Sequence, residues 1–337
     1  MAEVKAVEAA QVSIRAPEGI RGLLWLLLKG DWEQFNLRRR ERDWRLTWLR
    51  VREQAFFLAL VVPAILLVTI FLIFPLWRMF SLSFGTMDDG VRINYNFDTI
   101  DQYDRAITGG VYQTLFKTTF IISGLTTVIA LVLGYPVAYL LANVSDKTRA
   151  IMLPLVVVPF WTSILVRTFA WRIILGRKGF INETLGWIGI IDEPLNLVFN
   201  RTGTLVGMVH ILVPFMIFPI FAVMRGIPNE FLRAAENLGA GPFTAFRRVY
   251  FPLTMPGLGA GVLLVFILSL GFFITPALLG GPRDRMISNM IEIQINEVNN
   301  WEFASALAFL LLAGTIVLYF FYARFMSFDK LYGEQGK

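Results

Sequence analysis

The sequence has no cysteine and a single histidine, His210. Disulfides and thiolate metal sites are therefore excluded, and His/Cys metal centres and Ser-His-Asp catalysis lose their usual parts. No G-x-x-x-x-G-K-[ST] segment occurs, so the chain lacks the usual phosphate cradle for a nucleotide. Work driven by ATP would have to come from another polypeptide. Charge is scarce: 17% of residues are Asp, Glu, Lys or Arg, against roughly a quarter in soluble domains. No carboxylate falls within the long apolar runs. That counts against a proton- or sodium-coupled secondary transporter, which needs ion sites inside the membrane.

What the chain has is hydrophobicity. Of its 337 residues, 56% are hydrophobic. A bilayer crossing takes about 20 predominantly apolar residues. Six runs qualify, near Phe56–Trp77, Thr114–Leu141, Ile151–Leu175, Thr204–Met224, Gly257–Leu279 and Ala304–Phe325. They predict an all-α polytopic membrane protein with a permease domain over 56–325, an N-terminal extension over 1–55 and a tail over 326–337. The extension holds one short apolar piece, Gly22–Leu28, that fits the membrane interface. It then holds Arg38, Arg39, Arg40, Arg42, Arg45, Arg50 and Arg52, interleaved with Trp32, Trp44 and Trp48. Arginines and aromatics could bind nucleic acid. Standing directly before the first span, they read instead as an anchor on anionic lipid, with no nucleic-acid partner. By the positive-inside rule the N-terminus is cytoplasmic, and an even number of spans puts the C-terminus there too. Asp88, Asp89, Asp98, Asp192, Glu193 and Asp284 then fall outside.

Between the fourth and fifth runs lies a polar island over 228–257. Leu232, Ala235 and Leu238 recur at helical spacing, predicting a short helix over Asn229–Leu238. Gly239 and Gly241 end it, since glycine supplies the positive-φ turn. A second short helix over Pro242–Tyr250 is expected, with Pro252 and Pro256 turning the chain back into the membrane. On the topology above, this helix–Gly–helix elbow faces the cytoplasm, where ATP is.

Within it, Ala234-Ala235-x-x-Leu238-Gly239-Ala240 followed by Phe251-Pro252-Leu253-x-x-Pro256-Gly257 resembles the EAA loop of bacterial ABC importer permeases. Ile164-Leu165-Val166-Arg167, Lys178–Glu183, Leu212–Met216 and Leu278-Leu279-Gly280-Gly281 extend the resemblance to spermidine/putrescine-type membrane subunits. Arg233 departs from it, standing where the family usually has the leading Glu; Glu236 follows one turn later. The resemblance implies a multi-pass subunit of the bacterial cytoplasmic (inner) membrane. It further implies a second permease chain, two ATPase subunits carrying the ATP and Mg, and an extracytoplasmic substrate-binding protein. This chain itself would hold no cofactor and no metal and would not be an enzyme. Arg233, Ala234, Ala235, Glu236, Leu238 and Gly239 would couple it to the ATPase. A membrane-anchored receptor without a pore is the remaining alternative class.

Charges and aromatics in the runs mark a possible solute path, because a charge in lipid is costly. The candidates are Trp161, Arg167, Trp171, Tyr135, Phe272 and Glu292. Lys117 and Arg172 sit near run ends, and His210 is expected to make a hydrogen bond within the bundle. Ile291-Glu292-Ile293-Gln294-Ile295 alternates, predicting an extended or re-entrant piece. Gly257-x-x-x-Gly261 would admit a close helix. A polyamine is the solute the resemblance implies. The positive intramembrane charge suits an anionic or zwitterionic one, such as an opine or phosphonate, at least as well.

Overall fold

The structure, a computed structural model, describes residues 61–85, 87–88, 92–93 and 99–325. The expectations for Gly22–Leu28, the arginine run, Asp89, Asp98 and the C-terminal tail lie outside these residues. The chain divides into two compact units, Met1–Leu76 and Trp77–Lys337. Helix α1 (Val61–Leu82) has a π-helical turn at Thr69–Ile73. Two two-residue strands follow, β1 (Met87–Asp88) and β2 (Arg92–Ile93), paired antiparallel with Met87 opposite Ile93. Among the described residues all else regular in the second unit is helical: α2 (Asp101–Thr108), α3 (Gly110–Asn143), α4 (Asp146–Val157), α5 (Ile164–Ile174), α6 (Phe180–Trp187), α7 (Arg201–Arg225), α8 (Asn229–Asn237), α9 (Pro242–Leu270), α10 (Ile274–Leu279), α11 (Ile287–Asn296) and α12 (Trp301–Phe325).

Among the described residues five helices, α1, α3, α7, α9 and α12, are long and apolar enough to cross a bilayer. The expected third span is different: it is broken. Helix α4 passes into a tight turn at Val158–Trp161, and the axis bends by 98° before α5 begins. Pro154 and Pro159 each remove a backbone donor, and Thr162 adopts extended geometry. Counting this pair as one crossing gives six.

The fifth span also differs from expectation. No turn occurs at Pro252 or Pro256; the anticipated second elbow helix and the span are one continuous helix, α9. A π-helical turn at Phe246–Tyr250, in which Phe251 N–H bonds the Phe246 carbonyl, stands directly before Pro252. The wider turn accommodates proline without breaking the rod. The helix stops at Leu270 rather than Leu279, and α10 follows as a separate piece.

A third correction concerns Ile291–Ile295, which is helical, not extended. Ile287, Met290 and Ile291 stand at helical spacing and pack with Phe303 and Leu307, overriding the local alternation. Side chains also hold the start of α11. Asn289 Oδ1 accepts from Met286 N–H (3.1 Å), Thr119 Oγ1 accepts from Ile287 N–H (2.8 Å), and Asn289 Nδ2 donates to the Phe273 carbonyl (2.8 Å).

The main core joins α3, α7 and α9 through Ile122, Ala130, Met208, Leu212, Met216, Ile220 and Val265. The Gly257-x-x-x-Gly261 stripe is used within the chain: a Cβ at Gly257 would lie 2.7 Å from the Pro219 carbonyl oxygen, and one at Gly261 3.1 Å from the Met216 carbonyl oxygen. Gly257→Leu is therefore expected to cost at least about 1–3 kcal/mol as overpacking against rigid backbone. Gly124→Ala, with open space around its Cβ, should be harmless. Thermal unfolding of the two purified variants in detergent compares them.

At one end of this bundle lie the C-terminal ends of α3 and α7 with the elbow. At the other, Leu175, Val198 and Leu279 form a separate cluster and Asn200 N–H bonds the Leu279 carbonyl (3.2 Å).

Candidate functional site

Helix α8 ends as its sequence predicts. Gly239 has φ +86°, its N–H bonds the Glu236 carbonyl (2.9 Å), and Ala240 N–H bonds the Ala235 carbonyl (3.0 Å). This paired pattern satisfies the orphan carbonyls of a helix end. Leu232 and Ala235 turn toward the bundle. Arg233, Ala234, Glu236 and Gly239 are exposed. Leu238 is 89% exposed, and Phe231 and Phe243 beside it are 50% and 74% exposed. The elbow thus carries three large apolar side chains on its outer side.

Beneath the elbow the support is rigid. Phe246, Tyr250 and Tyr139 pack ring against ring, with centroids 5.5–5.8 Å apart. Tyr135 joins this floor: its hydroxyl meets Thr254 Oγ1 at 3.2 Å and its ring faces Phe251. Arg149 donates to the carbonyls of Leu141 (2.8 Å), Ala142 (3.3 Å) and Val144 (2.7 Å), covering the end of α3 where cations are favoured. It also pairs with Asp146, which Arg225 reaches at 3.3 Å from the end of α7. Arg149, Asp146 and Arg225 thus tie the ends of α3, α4 and α7 together beside the elbow.

The proposed path residues do not converge. Trp171 Nε1 donates to His210 Nδ1 at 3.1 Å, which makes Nδ1 the unprotonated ring nitrogen. This is the intra-bundle hydrogen bond expected of His210. Both line an apolar cleft of about 460 Å³ between α3, α5 and α7. Arg167 is half-buried, and its Nε meets no acceptor among the described residues. Trp161, at the break between α4 and α5, is 85% exposed. Tyr135 sits at the elbow end. Glu292 lies at the opposite end, in a cleft of about 480 Å³ shared with Arg285, Asn289 and Glu297. Phe272 packs against the main core, and its carbonyl accepts from Ser288 Oγ (2.7 Å).

One carboxylate escaped sequence reading. Glu302 is 1% exposed, and neither carboxylate oxygen meets a donor among the described residues. Ser305 Oγ, one turn along the same face, and Gln294 Oε1 are likewise buried and unpartnered. Placing the start of the sixth span at Trp301 rather than Ala304 would have flagged it. Helix α2 covers this region, with Arg105 Cζ 4.5 Å from the Phe303 ring. Glu302→Gln replaces a buried carboxylate that no donor among the described residues satisfies with a neutral amide, and should stabilise the chain by about 1–3 kcal/mol. A lowered unfolding midpoint would contradict that reading.

Residues 130–327 match the family described as the binding-protein-dependent transport system inner membrane component. The spermidine/putrescine transport system permease protein PotB of Escherichia coli K12 is 35% identical over 247 residues, 73% of this chain and 89% of that protein. PotB of Haemophilus influenzae is 35% identical over 254 residues, 75% of this chain and 88% of the relative. The inner membrane ABC transporter permease protein YdcU of E. coli is 30% identical, with 67% and 76% covered. Among solved structures, a bacterial ABC transporter involved in import of the acidic polysaccharide alginate contains a chain that superposes with TM-score 0.65 at 19% identity, covering 83% of this chain and 98% of that one.

Proposed function

The chain belongs to the family of binding-protein-dependent inner membrane transport components, and from that premise we propose that it moves a polyamine-class solute inward when separate ATPase subunits pull on α8. It is a permease subunit of an ABC importer, a multi-pass protein of the inner membrane. The observation that carries the coupling proposal is the rigidly capped α8 with Phe231, Leu238 and Phe243 held outward. Exposed apolar side chains on a polar segment mark a protein contact. In this reading both termini and the elbow are cytoplasmic, and two ATPase subunits bind ATP and Mg. A second permease completes the pore, and an external binding protein delivers solute to the end near Glu292. Arg233, Ala234, Ala235, Glu236, Leu238 and Gly239 form the coupling surface.

The similarity to PotB supports a cationic amine as solute, with Glu292 and Glu297 at the mouth of the path and Tyr135, Trp161, Trp171 and Phe272 offering ring faces. One observation favours a second reading: the buried Nε of Arg167 has no acceptor among the described residues, which suits an anionic or zwitterionic solute such as an opine or phosphonate. Purification with native partners decides between them. Spermidine or putrescine with the binding protein should stimulate ATP hydrolysis. Stimulation by an opine or phosphonate alone would transfer the assignment to the second reading.

A further inference from the structure

Beside the end of the bundle remote from the elbow, large apolar side chains are held outside the chain's own fold. Helix α5 climbs along α7 to reach this end. Phe160, just before it, packs on Phe215 and Phe218; Trp171 meets His210; Leu175 joins Val198. The outer side of α5 carries exposed Val166, Phe169 and Ile173. Exposed cations then take over, with Arg172, Arg177 and Lys178. Such a change from aliphatic to basic surface marks the edge of the hydrocarbon layer.

Helix α6 is tied to that same level. Asn182, 4% exposed, donates to the carbonyls of Gly176 (2.9 Å) and Leu195 (3.0 Å) and accepts from Leu195 N–H (2.8 Å). Phe180 and Trp187, seven residues apart and so on one side of the helix, are nevertheless 69% and 88% exposed. Ile188 and Ile190 extend the patch. Three satisfied hydrogen bonds make this presentation a built feature.

We propose that this face lies in the headgroup layer and binds an anionic phospholipid. The rings and isoleucines seat at the acyl boundary while Arg177 and Lys178 meet the phosphate. Two observations select lipid as the occupant. The patch continues the exposed apolar side of α5, and its basic residues stand where that apolar side ends. Glu183 on α6 and the exposed pair Asp192 and Glu193 beyond Ile190 take no part in phosphate binding. The inference rests on reading the chain as a membrane permease, but not on which solute it carries or which end is cytoplasmic.

The cysteine-free sequence makes the test direct. Trp187→Cys would carry a nitroxide in the assembled transporter, its partner chains freed of cysteine, in nanodiscs of phosphatidylcholine with or without phosphatidylglycerol. Oxygen collisions should exceed those with a water-soluble nickel chelate, as at Ile173→Cys. Arg177→Gln combined with Lys178→Gln should lower the preference for phosphatidylglycerol by roughly 30-fold, as expected for the loss of two basic residues at an anionic surface. Dominant nickel collisions at position 187 would overturn the proposal. So would a label that is water-exposed until the binding protein is added, which would make the patch a protein contact. A transporter that fails the uptake assay but gives the membrane-like label signal would count against the solute assignment alone.

Discussion

A chain carrying Gly239→Val is expected to fold and enter the membrane yet lose most of its ATPase-driven uptake. Nothing lies within 4 Å of a Cβ built at Gly239, so the substitution meets no steric obstacle. Its effect comes from the backbone, held at φ +86°. A side chain in that left-handed region costs roughly 1–2 kcal/mol, and a β-branched one is a genuine outlier there. The two hydrogen bonds that close α8, from Gly239 and Ala240, depend on this conformation. Losing it releases α8 from its fixed angle to α9 and should lower ATPase retention by about 5- to 30-fold. Gly239→Asn is the control, because asparagine tolerates the same region. Co-purification of the ATPase and solute uptake are measured together. If Gly239→Val matches the unsubstituted chain in both, the elbow is not the coupling element.

The second large effect should come from the outward apolar side chains. Leu238→Asp and Phe243→Asp change residues that are 89% and 74% exposed. Surface substitutions of this kind leave fold stability within about 0.5 kcal/mol. Buried at a protein contact, the same positions would act as anchors, each costing about 2 kcal/mol or more, roughly 30-fold in affinity. The expected pattern is an unchanged unfolding midpoint for the isolated permease with a sharp loss of ATPase binding. Loss of both together would mean that these side chains stabilise the chain itself. Retention of both would remove the elbow's outer side from the interface.

Much of this arrangement is legible along the chain, and the reasons differ from element to element. Crossing helices announce themselves because lipid accepts nothing but long apolar segments with internally bonded backbone. The end of α8 is legible because only glycine takes the turn at position 239 easily. The 98° break between α4 and α5 was half visible: Pro154 and Pro159 were on view, but a proline within a span can as well bend a helix slightly as divide it. The same ambiguity holds at Pro252 and Pro256, which a π-helical turn absorbs inside α9. At Ile291–Ile295 a period-two pattern lost to packing on Phe303 and Leu307, which no local window contains.

Composition and periodicity alone settle that this is a multi-pass α-helical protein with a polar elbow and no phosphate loop of its own, because such properties are local to a residue and its near neighbours. Which face each helix turns inward is a different kind of fact. That Leu238 points outward while Ala235 points in, that Glu302 is sealed without a partner among the described residues, and that Trp171 holds His210 all depend on residues far away in the chain meeting in space. Only the packing of α3, α7, α9 and their neighbours brings those groups together, since burial and hydrogen-bond partners are properties of the assembled fold.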